Sequence, residues 1–196
     1  MTDNQSAAAT IGGIALLERA INYTLGSLLM VTPVALSRPT PCPRWDLGDL
    51  LEHMNDSLAA LTEAVDFGDV ALTPPVGDLD GSVDPVRRLR DRACRLLGAW
   101  AAAGDRAAVS VGGCPVTTGI VAGAGAIEVA VHGWDVARAC GRERPVPASL
   151  AEELLDLAPL LVTGDERPGR FAPAVPVPAR AAPGDRLLAF LGRRPG

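Results

Sequence analysis

The chain has 196 residues, 48% of them hydrophobic and 4% aromatic, which suits one folded domain whose core is filled by Leu, Val and Ala. Its formal net charge is -5, all 18 basic residues are arginine, and no stretch is strongly basic, so a phosphate backbone is excluded as a partner and no nucleic acid is expected. No run of about 18 strongly apolar residues argues for a membrane span, and Met1-Thr2-Asp3-Asn4 lacks the basic region of a secretory signal.

Residues 1–9 are expected as a flexible tail. A first helix is expected from Thr10, a favourable N-cap, carrying Ile14, Leu16, Leu17, Ile21, Leu25, Leu28 and Leu29 at helical spacing toward Pro33. Pro41-Cys42-Pro43-Arg44-Trp45 reads as a stiff connector. Asp46 caps a second helix, in which Leu47, Leu50, Leu51, Met54, Leu58, Leu61 and Val65 step by three and four into one apolar stripe. Gly68 closes it, and residues 69–83 read as loop. Asp84-Pro85 opens a third helix, running through Leu89, Leu96 and Trp100 to about Ala103, with Gly104 as its stop. The stretch 107–115 reads either as a short strand or as an irregular crossing loop. Thr117 or Thr118 opens a fourth helix that runs through Ala139 and ends at Gly141. Gly119, Gly123 and Gly125 weaken its propensity and would let another helix approach closely. A fifth helix is expected from Ser149 to about Val162, and Pro183-Gly184-Asp185 leads into a short apolar turn, Leu187 to Leu191.

The outline is all-α: a four-helix bundle with up-down-up-down packing, one long connection and a C-terminal extension. Residues 10–163 form the bundle. Residues 164–196 form a Pro- and Arg-rich extension, and Phe171, Leu187, Leu188, Phe190 and Leu191 give it too much apolar surface for a solvated linker, so it is expected to pack on the bundle. Cys42, Cys94, Cys114 and Cys140 show no C-x-x-C spacing. They read as reduced, mostly buried thiols of a cytoplasmic protein.

The chain has two histidines, His53 and His132, and each falls inside an expected amphipathic helix. Glu128 and His132 are four apart and project from one helix face. Gly125, Glu128, His132 and Asp135 make a narrow polar line in an otherwise apolar helix, where a carboxylate is costly unless paired or metal-bound. A metal would account for the line, with Glu128 and His132 as two ligands and His53 from a facing helix as the third. Two histidines, one carboxylate and a free position make a catalytic type of zinc arrangement, and the same donors suit Fe(II), Ni(II) or Mn(II). Asp135 could accept a hydrogen bond from His132 or pair with an arginine. The spacing alone is equally that of an interior histidine and a helix-surface Glu–His pair. Arg170 and Arg186 read as an anion-binding pair for substrate or cofactor, or as plain surface arginines. Val111-Gly112-Gly113-Cys114 is not followed by the G-K-[ST] of a phosphate loop. No Ser lies in a G-x-S-x-G elbow, and neither Cys114 nor Cys140 has the local support of a nucleophile.

Trp45-Asp46-Leu47-Gly48-Asp49-Leu50-Leu51-Glu52-His53 resembles the W-x-x-x-D-L-L-x-H segment of the DinB-like superfamily. Glu128 to Ala139 resembles the E-x-x-x-H-x-x-D-x-A segment of the branch that contains mycothiol-dependent maleylpyruvate isomerase and related actinobacterial metal-binding proteins. Gly169 to Pro173 and Asp185 to Arg193 resemble the tail of the same proteins. The resemblance implies a DinB-like four-helix bundle and a metal held by His53, Glu128 and His132, with zinc as the first choice. The activity implied is that of a divalent-metal-dependent enzyme. It would activate mycothiol or a similar low-molecular-weight thiol, either for S-transfer or for thiol-assisted isomerisation of a small electrophile. The alternatives are a thiol-independent metal-dependent lyase, hydrolase or cyclase, and a non-catalytic metal-binding stress protein. The expected partner is a small-molecule substrate, with the chain a monomer or a homodimer.

Overall fold

A computed structural model of the chain describes residues 3–70, 84–102, 107–164 and 171–195. Among the described residues the protein is mostly helical. It has α1 (Asp3–Leu28), a 3-10 turn (Pro33–Ala35), α2 (Leu47–Asp66), β1 (Asp69–Val70), α3 (Pro85–Ala102), β2 (Ala108–Val111), β3 (Cys114–Thr117), α4 (Thr118–Ala139), α5 (Ala148–Leu161) and α6 (Pro183–Phe190). The loop expected at 69–83 opens instead on β1; its remainder, 71–83, the Gly104 stop and Arg170 lie outside the described residues.

Local chemistry explains most boundaries. α1 begins at Asp3, not near Thr10, because Ala7-Ala8-Ala9 has the strongest helix propensity of any residue type and extends the helix through the expected tail. α2 starts on a reciprocal cap: the Asp46 carboxylate accepts from the Asp49 amide at 2.9 Å, and the Asp49 carboxylate accepts from the Asp46 amide at 3.2 Å. This is a capping box with aspartate in the third helical position. α4 stops at a left-handed glycine, Gly141 (φ 72°), with the Arg142 amide donating to Ala137 O at 2.9 Å, the Schellman pattern.

A three-stranded sheet, in the order β1-β2-β3, replaces part of the all-α expectation. β2 and β3 are antiparallel and joined by Gly112 (φ 57°) and Gly113 (φ 82°). Two successive positive φ values make the turn whose twist matches a hairpin. The glycine pair dismissed as a phosphate loop is therefore a hairpin turn.

The helix directions also differ from the expected alternation. Gly13 of α1 faces Gly119 and Ala122 of α4, and Thr24 further along α1 faces Gly133 further along α4, so these two neighbours are parallel. In an up-down-up-down bundle they would be antiparallel. α2 runs against α4, since His53 meets Glu128 whereas Leu61 meets Gly125. Asn55 Nδ2 donates to Pro85 O, so α3 begins beside the middle of α2. β1 leaves the C-terminal end of α2 and pairs in parallel with β2, which follows α3. The five residues between α3 and β2 reach at most about 20 Å, so α3 must end near the sheet and run with α2. A parallel strand pair needs such a crossover, and the β2–β3 hairpin then turns the chain back into α4.

α4 is the core helix. Its length and composition would suit a membrane span, but 78% of its most apolar window is buried inside the fold, and every residue from Val129 to Ala137 is buried. Leu17, Ile21, Leu50, Leu51, Leu89, Leu96, Leu150 and Leu154 pack in the same cluster, joined by Leu187, Leu188 and Leu191 from the C-terminal extension, with Phe171 and Phe190 against its edge. The cysteines correct the expectation of mostly buried thiols: Cys94 and Cys114 are exposed, Cys42 and Cys140 are half-buried, and all four are free. Cys94 lies on the outward face of α3 and Cys114 starts an edge strand, so neither reaches the core.

α1 and α4 approach closely at Gly133, where a Cβ would overlap Thr24 Oγ1. Thr24 cannot simply rotate away, because it is buried and its hydroxyl donates to Val129 O at 2.7 Å. Gly133→Ala is expected to cost about 1–3 kcal/mol, as overpacking does, read as a lower midpoint in denaturant unfolding. An unchanged midpoint would mean that the two helices part freely at this level.

Candidate metal centre

α2 and α4 face each other as antiparallel neighbours, and their polar side chains meet along one line. His53 and Ser57, one turn apart on α2, point at Glu128 on α4. His53 Nε2 lies 2.6 Å from Glu128 Oε1 and Ser57 Oγ donates to the same oxygen at 3.1 Å. His132, one turn beyond Glu128, presents Nε2 to that oxygen at 3.2 Å. The His53 and His132 rings meet edge-on with centroids 5.1 Å apart. Trp45, at the start of α2, packs over both rings at 4.7 and 6.3 Å.

The structure thus brings together all three residues singled out as ligands. Their donor atoms lie within 4.8 Å of one another. Ligands on a tetrahedral zinc sit roughly 3.3 Å apart, given zinc–ligand bonds near 2.0–2.1 Å. The 2.6 and 3.2 Å separations are close enough that small side-chain shifts would admit an ion. The donor chemistry, two imidazole nitrogens and a carboxylate oxygen, fits a divalent cation of the zinc type.

A second group able to hold a metal ion shares His132: Cys42, His132 and Asp135. Asp135, foreseen as an acceptor for His132, lies 2.9 Å from its Nδ1 through Oδ2. The Cys42 thiol donates to Oδ2 at 3.4 Å, and Arg193 Nη2 donates to it at 3.0 Å. Asp135 Oδ1 is buried with no partner among the described residues. The line runs from open to closed: side-chain exposure falls from 37% at His53 and 30% at Glu128 to 7% at His132 and 0% at Asp135.

Electrostatics fix the charge state of the ion-free centre. Burial pushes the Glu128 carboxyl up, but the His132 charge and the hydrogen bonds from both histidines override it and hold Glu128 well below the carboxylate range. Burial opposes the His132 charge, yet Glu128 beside it and the hydrogen bond to Asp135 carry its pKa well above the ordinary imidazole value. For Asp135, burial is likewise outweighed by the His132 hydrogen bond and the Arg193 charge, and its pKa is lowered.

Three residues at the centre escaped the sequence reading. Ser57 had a signal, its i+4 spacing from His53. Cys42 and Arg193 had none, since they reach Asp135 across 93 and 58 positions. Arg186 is exposed, and Arg170 lies outside the described residues.

Comparison with known proteins bears on the same residues. Residues 18–137 match the model of the mycothiol maleylpyruvate isomerase N-terminal domain, a segment that includes His53, Glu128, His132 and Asp135 and excludes Arg193. Two uncharacterized proteins of Mycobacterium tuberculosis, MT0763 and Rv0738, are each 31% identical over 178 residues, covering 90% of this chain and 94% of theirs. No solved structure matches the chain significantly.

Proposed function

The chain belongs to the family of the mycothiol maleylpyruvate isomerase N-terminal domain, a DinB-like family, and on that footing we propose that it is a divalent-metal-dependent enzyme acting on a small electrophile with a low-molecular-weight thiol of the mycothiol kind. In this reading α1–α4 are the DinB-like bundle and His53, Glu128 and His132 hold zinc. The carrying observation is the convergence of those three donors at the half-exposed end of a polar line that is otherwise closed. A cation held there would lower the pKa of a thiol brought to it and so favour the nucleophilic thiolate.

The protein's own residues have definite tasks in this scheme. Asp135 accepts from His132 Nδ1 and so leaves Nε2 facing Glu128, the tautomer and ring orientation that metal-binding histidines depend on. Ser57 and His53 steady the Glu128 carboxylate. Trp45 covers the two rings and limits water on that side. Among the described residues three His or carboxylate donors surround the position, whereas a closed structural site takes four, which favours an open place for thiol or substrate. Glu128 and Ser57 also border a narrow apolar crevice walled by Ile21, Leu25, Leu28, Met54, Leu58 and Leu89, with room for about one water molecule.

The test is to incubate the zinc-loaded protein with mycothiol, and separately with other thiols, against a panel of electrophiles. Adducts and isomerised products are read by mass spectrometry and NMR, with His53→Ala as control. Metal- and thiol-dependent turnover is expected. Turnover without a thiol would point to a lyase, hydrolase or cyclase, and none at all to a passive metal binder.

The charge state of the ion-free centre gives a pH prediction. Glu128 and Asp135 favour the protonated form of His132 in the ion-free centre, and a metal ligand must be neutral, so binding has to expel that proton. Zinc affinity is expected to rise with pH by about tenfold per unit until the raised His132 pKa is passed. Calorimetric titration in buffers of different ionisation enthalpy should report about one proton released. An affinity that is flat with pH would refute the His132 assignment.

A further inference from the structure

The two groups able to hold a metal share His132 but use opposite ring nitrogens. Nε2 faces Glu128 at 3.2 Å and Nδ1 faces Asp135 at 2.9 Å. On the Nδ1 side the donors are a thiol and a wholly buried carboxylate. Thiolate is the softest donor in this neighbourhood and a strong zinc ligand, so an open Cys42–Asp135 position would compete for the ion. That position holds a cation already. Arg193 Nη2 lies 3.0 Å from Asp135 Oδ2 and 3.4 Å from Cys42 Sγ, within reach of both at once.

The fold delivers this guanidinium deliberately. α6 ends at Gly192 (φ 83°), with the Gly192 amide donating to Ala189 O at 3.1 Å and the Arg193 amide to Leu188 O at 2.8 Å. This is a Schellman turn, and it aims the next side chain inward. Gly192 packs directly on Ala172, leaving no room for a Cβ. Arg193 Nη1 is further tied to Leu191 O at 3.0 Å. Its side chain is 11% exposed. Arginine suits the place because its charge is permanent and weakly hydrated.

We propose that Arg193 is the built-in cation of the Cys42, Asp135 and His132 Nδ1 group, and that by filling it Arg193 keeps Cys42 off the metal and confines a divalent ion to the Nε2 face of His132. The proposal rests on the reading of His53, Glu128 and His132 as the resident ligands. Its consequence is selectivity: the protein's own thiol is held away, so a coordination position stays free for an external one.

Co(II) titration of the full chain tests this, since thiolate ligation gives a near-ultraviolet sulfur-to-cobalt charge-transfer band. Wild type should bind one equivalent without the band, and Cys42→Ser should change neither stoichiometry nor spectrum. Arg193→Gln and Arg193→Met, checked for wild-type helical content by circular dichroism, should show the band while still binding about one equivalent, and adding Cys42→Ser should remove the band. A band in wild type that Cys42→Ser abolishes would overturn the proposal. So would folded Arg193 variants that bind Co(II) without the band. Should the variants not fold, the wild-type and Cys42→Ser pair decides alone. Wild type taking up no Co(II) would strike at the His53–Glu128–His132 reading, while a Cys42-dependent band appearing only in the Arg193 variants would still support the role of Arg193.

Discussion

His132→Ala is expected to abolish stoichiometric zinc binding while leaving the helical content intact. His132 is the donor common to both groups of metal-competent side chains, so its loss leaves neither face with three ligands. Removing a mere outer partner of a metal ligand costs roughly 10–100-fold in affinity, and removing the shared ligand should exceed that. The fold should survive, because the core is built from leucines of α1–α6 and the Asp135–Arg193 pair remains. Elemental analysis of the purified variant, with circular dichroism beside it, measures both parts. Metal content equal to wild type would contradict the ligand assignment.

Asp135→Ala should have the largest effect on stability. It strands the Arg193 guanidinium in a site where the side chain is 11% exposed, and takes from His132 Nδ1 its carboxylate acceptor, leaving Cys42 Sγ at 3.9 Å. Breaking a buried pair by removing one partner costs about 3–5 kcal/mol, so the denaturant midpoint should fall steeply. Pairing it with Arg193→Met should return much of the loss, because the stranded charge is then gone. A loss under about 1 kcal/mol would mean that Arg193 swings out to solvent and that the C-terminal extension is not fastened to the centre through this contact.

Part of the Glu128, His132 and His53 cluster was legible because its signals are local. Glu128 and His132 are one helical turn apart, so helix periodicity alone puts them on one face, and Asp46 at the head of α2 announced the helix that carries His53. The sheet was harder to read. β1 is two residues long, too short for alternation to register, and the stretch 107–115 is too short for its pattern to separate a strand from a crossing loop. Helix direction was not legible either. Apolar stripes state which face is buried but not which way a neighbour runs; the successive contacts Gly13–Gly119 and Thr24–Gly133, His53–Glu128 and Leu61–Gly125, and the parallel β1–β2 pairing decide it. Cys42 and Arg193 come to Asp135 from opposite ends of the chain through a loop and a helix cap, with no spacing that one sequence could reveal.

The central claim, that a divalent ion sits between His53, Glu128 and His132, is tested most directly by zinc K-edge X-ray absorption on the zinc-loaded full chain. The expected spectrum has only nitrogen and oxygen neighbours at roughly 2.0–2.2 Å, with the multiple scattering of two imidazoles and no sulfur. A sulfur neighbour at about 2.3 Å would put the ion on the Cys42 side of His132 and contradict the assignment.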